Sequence, residues 1–435
     1  MSLTLPSAPG NGPVAIAFSG GRDSTVLLHL AAHDAALRAR GLRALHVDHG
    51  LQPRSAEWTT HCAAMCADLG VPFETRRVQV VAGGDGPEAA ARDARHAAFA
   101  RWQAPGETIA LAHHRDDQAE TVLMRLLRGA GGDGLAGMRA VRPFGRGLLW
   151  RPLLDVPAAA LAAHAAAHAL RWVEDPSNSD ERFERNHVRR QVMPLLAARW
   201  PHAAAGLARS AALLASQATL LAGEDARRLA PIRGDEGTTL DAAALASEAP
   251  AWRDRLLRAW VRELGLPPLP ADAPATIARD VLDAADDAVP VYAWHGAELR
   301  RWGGRLLALS PGPALPPDWR ATWDGRTPLT LPTGATLRLA VLGDTGHAAA
   351  HATPAFDTPL DVRARTGGER LRLPGRAHRS ELKHVYQQRG IAPWIRDRTP
   401  LLFAPDGELL AAGDLIMSER LETWLADHGV ALRSD

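Results

Sequence analysis

The sequence predicts an α/β protein with an N-terminal domain built on a parallel sheet, a helical middle domain and a small α+β C-terminal domain. Between residues 14 and 128, apolar β-branched runs alternate with segments of helical pattern, which is typical of a parallel sheet covered on both faces. After residue 317 the apolar runs are short and separated by turn dipeptides, which indicates a separate domain of mixed strands and helices. The predicted domains span residues 1–216, 217–330 and 355–435.

The expected elements follow one another along the chain. The predicted strands of the first domain are 14–18, 43–47, 73–81 and 108–112, and the helices that follow them are 23–39, 56–68, 87–102 and 116–128. Two more helices, at 156–170 and 185–200, extend this domain, and a long Ala- and Leu-rich helix at 202–229 leads out of it. Residues 231–312 are mostly of helical pattern with proline breaks, and 311–317 have the composition of a linker. Ligands of such parallel sheets bind beyond the carboxyl ends of the strands.

The charge of the chain is unevenly distributed. Fifty Lys and Arg residues oppose 49 Asp and Glu residues, for a net charge of +1, and Lys383 is the single lysine. Ten of the basic residues but only three acidic ones fall between residues 363 and 398, so this window carries +7 and the rest of the chain −6. A basic window on an acidic body favours the binding of a polyanion. A genome that scatters Arg over surfaces is the alternative, but it does not account for the clustering.

Cysteine content and the N-terminus indicate a reducing compartment. Cys62 and Cys66 are the only cysteines, and their spacing puts them on one helical face, where buried thiols are common. The first residues lack the charged and apolar regions of a signal peptide, and the apolar stretch at 156–170 is too short to span a membrane. We therefore expect a cytoplasmic protein. The sequence leaves the oligomeric state open, with a homodimer as one possibility.

A glycine-rich loop is predicted between the first strand and the first helix, formed by Ser19, Gly20, Gly21, Arg22, Asp23 and Ser24. The glycines let the backbone approach a ligand closely, and their N–H groups, with the N-terminus of the helix, can hold a phosphate. The serines add hydroxyl donors, and Asp23 fits beside phosphate if a divalent metal lies between them. The loop lacks the Lys-Ser/Thr of a Walker A motif. A capped glycine turn without a ligand is the alternative.

This loop resembles the signature of the PP-loop (N-type) ATP pyrophosphatases, which cleave ATP between the α- and β-phosphates. Further motifs narrow the resemblance, and they lie at 87–95, 112–121, 128–135, 151–154, 172–178 and 185–189. Their succession is similar to that of the bacterial tRNA(Ile)-lysidine synthetases from about residue 15 to residue 200, and a second match runs from 362 to 402. The resemblance implies a PP-loop (adenine nucleotide alpha-hydrolase-like) fold for the first domain.

The resemblance also implies a reaction. Enzymes of this family use ATP and Mg²⁺ to adenylate the C2 oxygen of the wobble cytidine in the CAU anticodon of tRNA(Ile), and free L-lysine then displaces AMP. The expected cofactors and partners are therefore ATP, Mg²⁺, free L-lysine and tRNA(Ile). A tRNA thiolase that shares the loop is one alternative, but it needs reactive cysteines. A PP-loop ligase that uses ammonia is another, but it would need an amide-hydrolysing domain or partner. A non-catalytic RNA-binding adapter is a third, and the intact loop speaks against it.

Candidate catalytic residues follow from this chemistry. Adenylation requires neutralisation of the phosphate charge, for which Asp23, through a metal, and Arg92 are candidates. Lysine must lose a proton before it attacks, and His113, Asp117 and Glu120 supply groups that can bind its ammonium and accept the proton. The last two share a helical face just after the fourth predicted strand.

These assignments have alternatives. Asp117 is also a good first-turn residue of a helix. His113 with Asp117 could belong to a zinc cluster, although no cysteine is nearby. Glu120 could pair with a basic residue one helical turn downstream, but the sequence has none there. Two further candidates, for contact with the base or ribose of the nucleotide, are Asp48 and His49.

Candidate tRNA-binding residues lie in two places. Arg185, Asn186 and Arg189 are at helical spacing, and the resemblance makes them contacts to nucleotide or tRNA, whereas a solvated cationic face is the alternative. In the basic window the candidates are Arg363, Arg365, Arg370, Arg372, Arg376, Arg379 and Lys383. Because arginine suits bidentate contacts to phosphate and stacking on bases, we expect this domain to hold the body of the tRNA. Tyr386 and Trp394 could stack on bases or form the core of the domain.

Overall fold

The computed structural model describes residues 3–48, 55–78, 87–175, 180–234, 237–285, 288–341 and 355–435, without the side chains of 55 and 87–92. His49 and the side chain of Arg92, two of the predicted site residues, lie outside the described residues. The chain divides into two units, Met1–Gly223 and Glu224–Asp435, each with its own apolar cores. Among the described helices, none is long and apolar enough to cross a membrane.

The first unit is built on a six-stranded sheet. Its strands are β1 (Val14–Ala17), β2 (Leu42–Asp48), β3 (Phe73–Arg77), β4 (Thr108–Ala110), β5 (Val141–Phe144) and β6 (Gly147–Trp150). They lie in the order β3-β2-β1-β4-β6-β5, and all neighbours are parallel except β5 and β6, which form a hairpin. Val14 and Ile16 pack into one core and Ala15 into another, so β1 is buried on both faces, as expected for a parallel sheet.

Helices follow the parallel strands as the sequence predicts. In the first unit they are α1 (Arg22–Ala32), α2 (Ala35–Ala39), α3 (Ser55–Asp68), α4 (Pro87–Trp102), α5 (Arg115–Leu127), α6 (Gly132–Leu135), α7 (Ala158–Ala167), α8 (Glu184–His187) and α9 (Met193–Arg199). A π-helical stretch, Val188–Val192, joins α8 to α9. The long helix α10 (Ala203–Leu229) runs through the residue at which the units divide.

Two details of the first unit differ from the prediction. The helix expected at 23–39 is split, because the Asp34 carboxylate accepts hydrogen bonds from the backbone N–H groups of Ala36 (2.8 Å) and Leu37 (3.0 Å) and so starts α2. The β5–β6 hairpin was not predicted, since its strands have four residues each and Pro143 interrupts the apolar pattern of β5. Both changes lie outside the predicted glycine-rich loop.

The order of the strands fixes where a ligand can bind. After β3 the chain crosses to the opposite side of β1 and adds β4 there, so the direction of winding reverses between β1 and β4. The loops that leave these two strands at their carboxyl ends diverge and leave a crevice. The glycine-rich loop follows β1 and the segment from His113 to Glu120 follows β4, so both predicted groups lie at this crevice.

The second unit begins with a helical part that also contains a sheet. Its elements are β7 (Thr239–Asp241), α11 (Ala242–Ala246), α12 (Pro250–Glu263), α13 (Ala273–Ile277), β8 (Val291–Trp294), β9 (Ala297–Trp302) and β10 (Arg305–Leu309). The helices agree with the predicted helical middle domain, and the antiparallel sheet β7-β10-β9-β8 is an addition to it. Its hairpins turn at His295-Gly296 and Gly303-Gly304, where all four φ angles are positive.

The last part of the second unit is an α+β arrangement, as predicted. Its elements are β11 (Arg320–Trp323), β12 (Leu329–Thr330), β13 (Thr336–Val341), β14 (Leu360–Arg363), β15 (Arg370–Leu371), β16 (Ser380–Glu381), α14 (Leu382–Gln388), α15 (Pro393–Arg396), β17 (Leu401–Phe403), β18 (Leu409–Ala412), β19 (Ile416–Met417), α16 (Glu419–Asp427) and β20 (Val430–Ser434). They form sheets in the orders β11-β14-β17-β18-β19, β12-β13-β20 and β15-β16.

The predicted domain limits shift in two places. Residue 216 lies inside the continuous helix α10, so no break in the chain marks that boundary. β11 and β12, which the sequence assigned to the middle domain, pair with β14 and β13 of the last part. The residues that pair with β11 lie 37–43 positions further along the chain, and a local pattern does not reveal such a partner.

Candidate active site

The glycine-rich loop forms an open cradle at the N-terminus of α1. Gly21 is the N-cap residue, and no side chain caps the helix there, so its first N–H groups are directed to the crevice without a side-chain acceptor. The hydroxyl groups of Ser19 and Ser24 lie 3.0 Å apart, and the Ser24 hydroxyl donates to the Gly21 carbonyl oxygen (2.9 Å). Backbone N–H groups and two hydroxyls thus surround the space that an anion would occupy.

Gly20 is required at its position for two reasons. Its φ is +82°, a left-handed conformation that favours glycine, and a Cβ there would lie 2.7 Å from the Sγ of Cys62. The carbonyl oxygen of Gly20 accepts a hydrogen bond from the backbone N–H of Val173 (2.9 Å). The loop therefore lies close to α3 and is hydrogen-bonded to the segment before α8.

Asp23 lies opposite a buried histidine that the sequence analysis did not select. The Nε2 of His114 is 3.5 Å from Asp23 Oδ2 and 3.4 Å from Asp117 Oδ2, and its Nδ1 is 3.6 Å from Asp116 Oδ2. Burial disfavours the charged ring, but the hydrogen bonds to Asp116 and Asp23 and the charge of Asp117 outweigh it and raise the pKa of His114 to about 9. Its Nε2 therefore faces the carboxylates that follow β1 and β4, while its Nδ1 lies 3.2 Å from the backbone N–H of Asp116 and caps the start of α5.

The carboxyl of Asp23 is ionised at neutral pH. Burial acts to raise its pKa, but the hydrogen bond and charge of His114, with the adjacent guanidinium of Arg22, lower the pKa below its usual value. Arg22 Nε donates to Asp23 Oδ1 at 2.9 Å. Asp23 is about one-third exposed, and it faces the crevice beside the phosphate cradle.

Asp117 and Glu120 share two arginine partners. Asp117 Oδ1 accepts hydrogen bonds from Nη2 of Arg185 (3.1 Å) and Nη2 of Arg189 (2.7 Å). Glu120 accepts from Nε of Arg185 (2.9 Å) and from Nε and Nη2 of Arg189 (2.6 and 2.9 Å). Both carboxylates are buried, whereas the side chain of Arg189 is 41% exposed. The predicted lysine-site residues and the predicted tRNA contacts thus form one network.

His113 lies beside this network in a neutral form. Its Nδ1 accepts a hydrogen bond from Nε of Arg151 (3.2 Å), which leaves Nε2 as the protonated nitrogen. Burial, together with the positive charges of Arg151, Arg185 and Arg95, lowers the pKa of His113 to about 3. Within the described residues no group of three or more His, Cys, Asp or Glu, at His113 or elsewhere, converges to hold a metal as the side chains stand.

The remaining candidates of the first unit take different places. Asp48 ends β2, the strand next to β1, and so lies at the same edge of the sheet as the crevice. Asn186 is buried, and its amide donates to the carbonyl oxygen of Asp180 (2.9 Å), so it stabilises the turn before α8. The sequence analysis did not select His114 and Arg151 as site residues. Both lie in motifs on which the family resemblance rests, and that was the only sign in the sequence that pointed to them.

The chain matches three family models in succession. Residues 4–196 match a PP-loop domain, residues 240–307 a TilS substrate binding domain and residues 360–434 a TilS substrate C-terminal domain. A tRNA(Ile)-lysidine synthase of Xanthomonas campestris pv. campestris is 49% identical over 99% of this chain and 96% of its own length. The chain belongs to the tRNA(Ile)-lysidine synthase family. The family predicted from the motifs is thereby confirmed.

Other members and structures agree to different degrees. The tRNA(Ile)-lysidine synthase of Pseudomonas aeruginosa is 46% identical over 92% of this chain and 89% of its own length. Among solved structures, the U34-tRNA thiolase NcsA of Methanococcus maripaludis, with its 4Fe-4S cluster, has a TM-score of 0.39 and 17% identity over 48% of this chain and 72% of its own.

The C-terminal domain of this family member presents a cationic cleft. The cleft, of about 400 Å³, lies between the β15–β16 pair and α14, and it is lined by Arg370, Arg376, Arg379, Ser380, Glu381, His384, Val385 and Gln388. Arg372 and Lys383 are also exposed in this region. Arg370 and Arg379 are paired with Glu381 and Glu408, but these salt bridges are solvent-exposed and therefore weak.

Other members of the basic window make contacts within the domain. The guanidinium of Arg363 lies 3.8 Å from the ring centroid of Phe403, and Arg365 lies 3.6 Å from the carboxylate of Glu369. Both arginines are half-buried, so only part of each is accessible to a ligand. Arg396 is buried and donates to a backbone carbonyl oxygen.

The two aromatic residues considered for base stacking belong to the packing of the domain. Tyr386 is fully buried in a core with Leu371 and Phe403, so it is not available to a base. Trp394 packs edge-on against Trp302, with ring centroids 6.1 Å apart. The alternative that a small domain needs aromatic core residues therefore describes Tyr386 correctly.

Proposed function

We propose that this chain ligates free L-lysine to C2 of the wobble cytidine in the CAU anticodon of tRNA(Ile), through an ATP-derived adenylate, with release of AMP and pyrophosphate. The main support for the proposal is that a phosphate cradle and a buried pair of carboxylates lie at the same crevice. The cradle suits the nucleotide, and the pair, Asp117 and Glu120, suits the ammonium of lysine. His114 lies between Asp23 and Asp117 and so couples the two halves.

ATP and Mg²⁺ fit the loop half of the site. The N–H groups at the start of α1 and the hydroxyls of Ser19 and Ser24 can hold the phosphates that leave as pyrophosphate. Mg²⁺ usually takes one or two carboxylates together with phosphate oxygens, and Asp23 supplies one carboxylate beside the cradle. When bound, Mg²⁺ would neutralise phosphate charge. Asp48, at the same edge of the sheet, is a candidate contact for the nucleoside, and Arg92 is one for the adenylate.

The charge balance of the site explains why its buried charges are stable when no substrate is bound. Four carboxylates and four cations interact there: Asp23, Asp116, Asp117 and Glu120 with Arg22, His114, Arg185 and Arg189. Because every carboxylate is paired, the buried charges are stable before lysine enters. Lysine brings one more cation, and ATP brings phosphates to which the partly exposed guanidinium of Arg189 can turn.

Proton transfer from lysine falls to the carboxylates in this proposal. The Asp117 and Glu120 oxygens that accept from arginine are of the kind that binds an ammonium. The pKa of His113 is lowered to about 3, so the ring stays neutral at pH 7, and we assign it the donation of a hydrogen bond from Nε2. One chain supplies all of these groups, and the proposal needs no second copy.

The basic C-terminal domain would hold the tRNA. The exposed basic side chains at the cleft, Arg370, Arg372, Arg376, Arg379 and Lys383, can contact phosphates without reading sequence. The thiolase alternative lacks a reactive thiol. Cys62 and Cys66 are buried, and burial raises the pKa of each to about 12, so neither is a thiolate at neutral pH.

The deciding experiment measures ATP-dependent transfer of radiolabelled lysine to unmodified tRNA(Ile) with a CAU anticodon. We expect label in this tRNA and none in tRNA(Met), which has the same anticodon. Asp23→Asn should abolish AMP formation, whereas Asp117→Asn, which keeps a capping side chain, should retain AMP formation and lose transfer of label. Asp280→Asn, in an exposed pair with Arg279, is the matched control and should change neither. No label in tRNA(Ile) with the wild-type chain would disprove the proposed function.

A further inference from the structure

Four histidines meet at the carboxyl ends of two helices, away from the site described above. His29 is in the last turn of α1 and His33 caps it, while His164 is in the last turn of α7 and His168 caps that helix. The ring centroids of His29 lie 4.3, 5.2 and 4.6 Å from those of His33, His164 and His168, and the last two are 4.4 Å apart. Each helix thus contributes an i, i+4 pair to one cluster.

We propose that this cluster is a binding site for a divalent transition-metal ion such as Zn²⁺, Ni²⁺ or Co²⁺, which ties the end of α1 to the end of α7. Imidazole nitrogen is a preferred ligand of these ions, whereas Mg²⁺ prefers oxygen. The proposed site is therefore distinct in chemistry from the ATP site. It does not depend on the proposed function.

One distance within the cluster suits such an ion. The Nδ1 of His29 and the Nε2 of His164 are 3.2 Å apart. Two nitrogens bound to one tetrahedral Zn²⁺ at about 2.0–2.1 Å are separated by roughly 3.3 Å, so this pair already spans one edge of a tetrahedron. Without a metal, the same two nitrogens can share at most one hydrogen.

Two rings must turn for the site to close. In the described part of the chain no three His, Cys, Asp or Glu side chains converge on one point as they stand, so the cluster is not a finished site. His33 and His168 are exposed, and each can change rotamer without disturbing the core. His33 now bonds the carbonyl oxygen of His29 through Nδ1 (2.8 Å), which leaves its Nε2 available.

The surroundings of the cluster favour a bound metal ion and disfavour protonation of the two inner histidines. The carboxyl ends of α1 and α7 both carry partial negative charge at the cluster, which attracts a cation. Burial and the charges of the three neighbouring histidines lower the pKa of His29 to about 4, and burial also lowers the pKa of His164. The two inner rings are therefore neutral at pH 7, the form that binds metal.

The location gives the metal a structural role. α1 starts at the phosphate cradle, roughly 10 Å from His29 at 1.5 Å per residue. α7 starts at Ala158, whose backbone N–H donates to the carboxylate of Asp116 (2.8 Å). A metal at the far ends of both helices would fix their relative position, and their near ends meet the two sides of the catalytic crevice.

The test uses the full chain without a polyhistidine tag, stripped of metal with a chelator and titrated with Co²⁺. We expect the intense visible bands of tetrahedral Co²⁺ at one ion per chain, displaced by Zn²⁺. In the double variant His33→Gln, His168→Gln the affinity should fall by at least about 100-fold, since loss of a mere hydrogen-bond partner of a ligand already costs 10–100-fold. His202→Gln, an exposed histidine outside the cluster, is the control and should bind as the wild type does.

Two results would overturn the proposal. One is a wild-type chain that gives only the weak spectrum of six-coordinate Co²⁺, and the other is a double variant that keeps the tetrahedral spectrum at unchanged affinity. Circular dichroism establishes that the double variant is folded. X-ray absorption of the Zn²⁺-loaded wild type gives a second measure that needs no variant: three or four imidazole ligands support the site, and fewer than three refute it.

Discussion

Replacement of Glu120 by Gln should impair the lysine half of the proposed site and leave the ATP half active. The side chain is 2% exposed and accepts three charge-assisted hydrogen bonds from Arg185 and Arg189. Glutamine keeps the shape but turns one acceptor into a donor that faces guanidinium donors. Because Asp117 continues to pair with both arginines, we expect a loss of about 2 kcal/mol of stability, rather than the 3–5 kcal/mol of a fully broken buried pair. For a unit of this size that lowers Tm by about 4–8 °C.

The effect on lysine is larger than the effect on ATP. One charge-assisted contact to the ammonium is worth about 1.5–3 kcal/mol, so KM for lysine should rise roughly 10- to 100-fold. AMP formation on tRNA(Ile) without lysine should keep its rate within about twofold. The assay compares label transfer across lysine concentrations with AMP release. Glu184→Gln, in an exposed pair with Arg128, is the control. Equal losses in both reactions, or an unchanged KM for lysine, would refute the assignment of Glu120 to the lysine half.

Three further predictions test other parts of the molecule. Gly20→Ala places a Cβ 2.7 Å from the Sγ of Cys62, and it should weaken ATP binding in equilibrium dialysis by at least about tenfold. Gly106→Ala is the control, because its φ is also positive but no atom lies within 4 Å of the added Cβ, and it should leave ATP binding unchanged. In the folded chain the pKa of His114 is about 9, above the ordinary histidine value of 6.5. Protonated His114 therefore adds about 3 kcal/mol to the free energy of unfolding below pH 6.5, and this contribution is lost as the pH rises through 9. Urea unfolding without metal should show this loss in the wild type and not in His114→Gln. Alanine at three exposed arginines in or beside the cleft, Arg370, Arg372 and Arg376, should weaken tRNA binding and reduce the slope of log K against log salt by about 2–3. Alanine at three exposed arginines elsewhere in the second unit, Arg227, Arg279 and Arg326, should not.

The parallel sheet was predictable because each of its first four strands has a local signal. The apolar runs of β1 to β4 and the helices after them have the length and period of βα units, and the glycine-rich loop marks the position of the crevice in the sequence itself. The antiparallel sheet of the middle part was missed although Gly303-Gly304 is a hairpin signal, because its four strands are short and stand among proline-broken helices. Local pattern is a weak guide where strands are short and their partners distant.

The site was predictable in its residues but not in its pairings. The i, i+3 spacing of Asp117 and Glu120 and the i, i+4 spacing of Arg185 and Arg189 were visible in the sequence. That the two helical faces meet was not, since the pairs are separated by 65–72 residues and no sequence rule gives the orientation of α8 against α5. The sequence also did not show that His114, and not His113, faces Asp23. This depends on which of the two adjacent residues becomes the N-cap of α5.

These pairings give a physical reason for arginine at positions 185 and 189. The chain has a single lysine, Lys383, and none in its first unit. A lysine at either position would present the same ε-ammonium as the proposed substrate to the same carboxylates, and it would compete at an effective concentration no free amino acid could match. A guanidinium instead binds two carboxylates at once in a planar geometry, stays charged, and turns to phosphate when the carboxylates are needed. Arg189→Lys should therefore act as an internal competitor and raise KM for lysine, with circular dichroism unchanged.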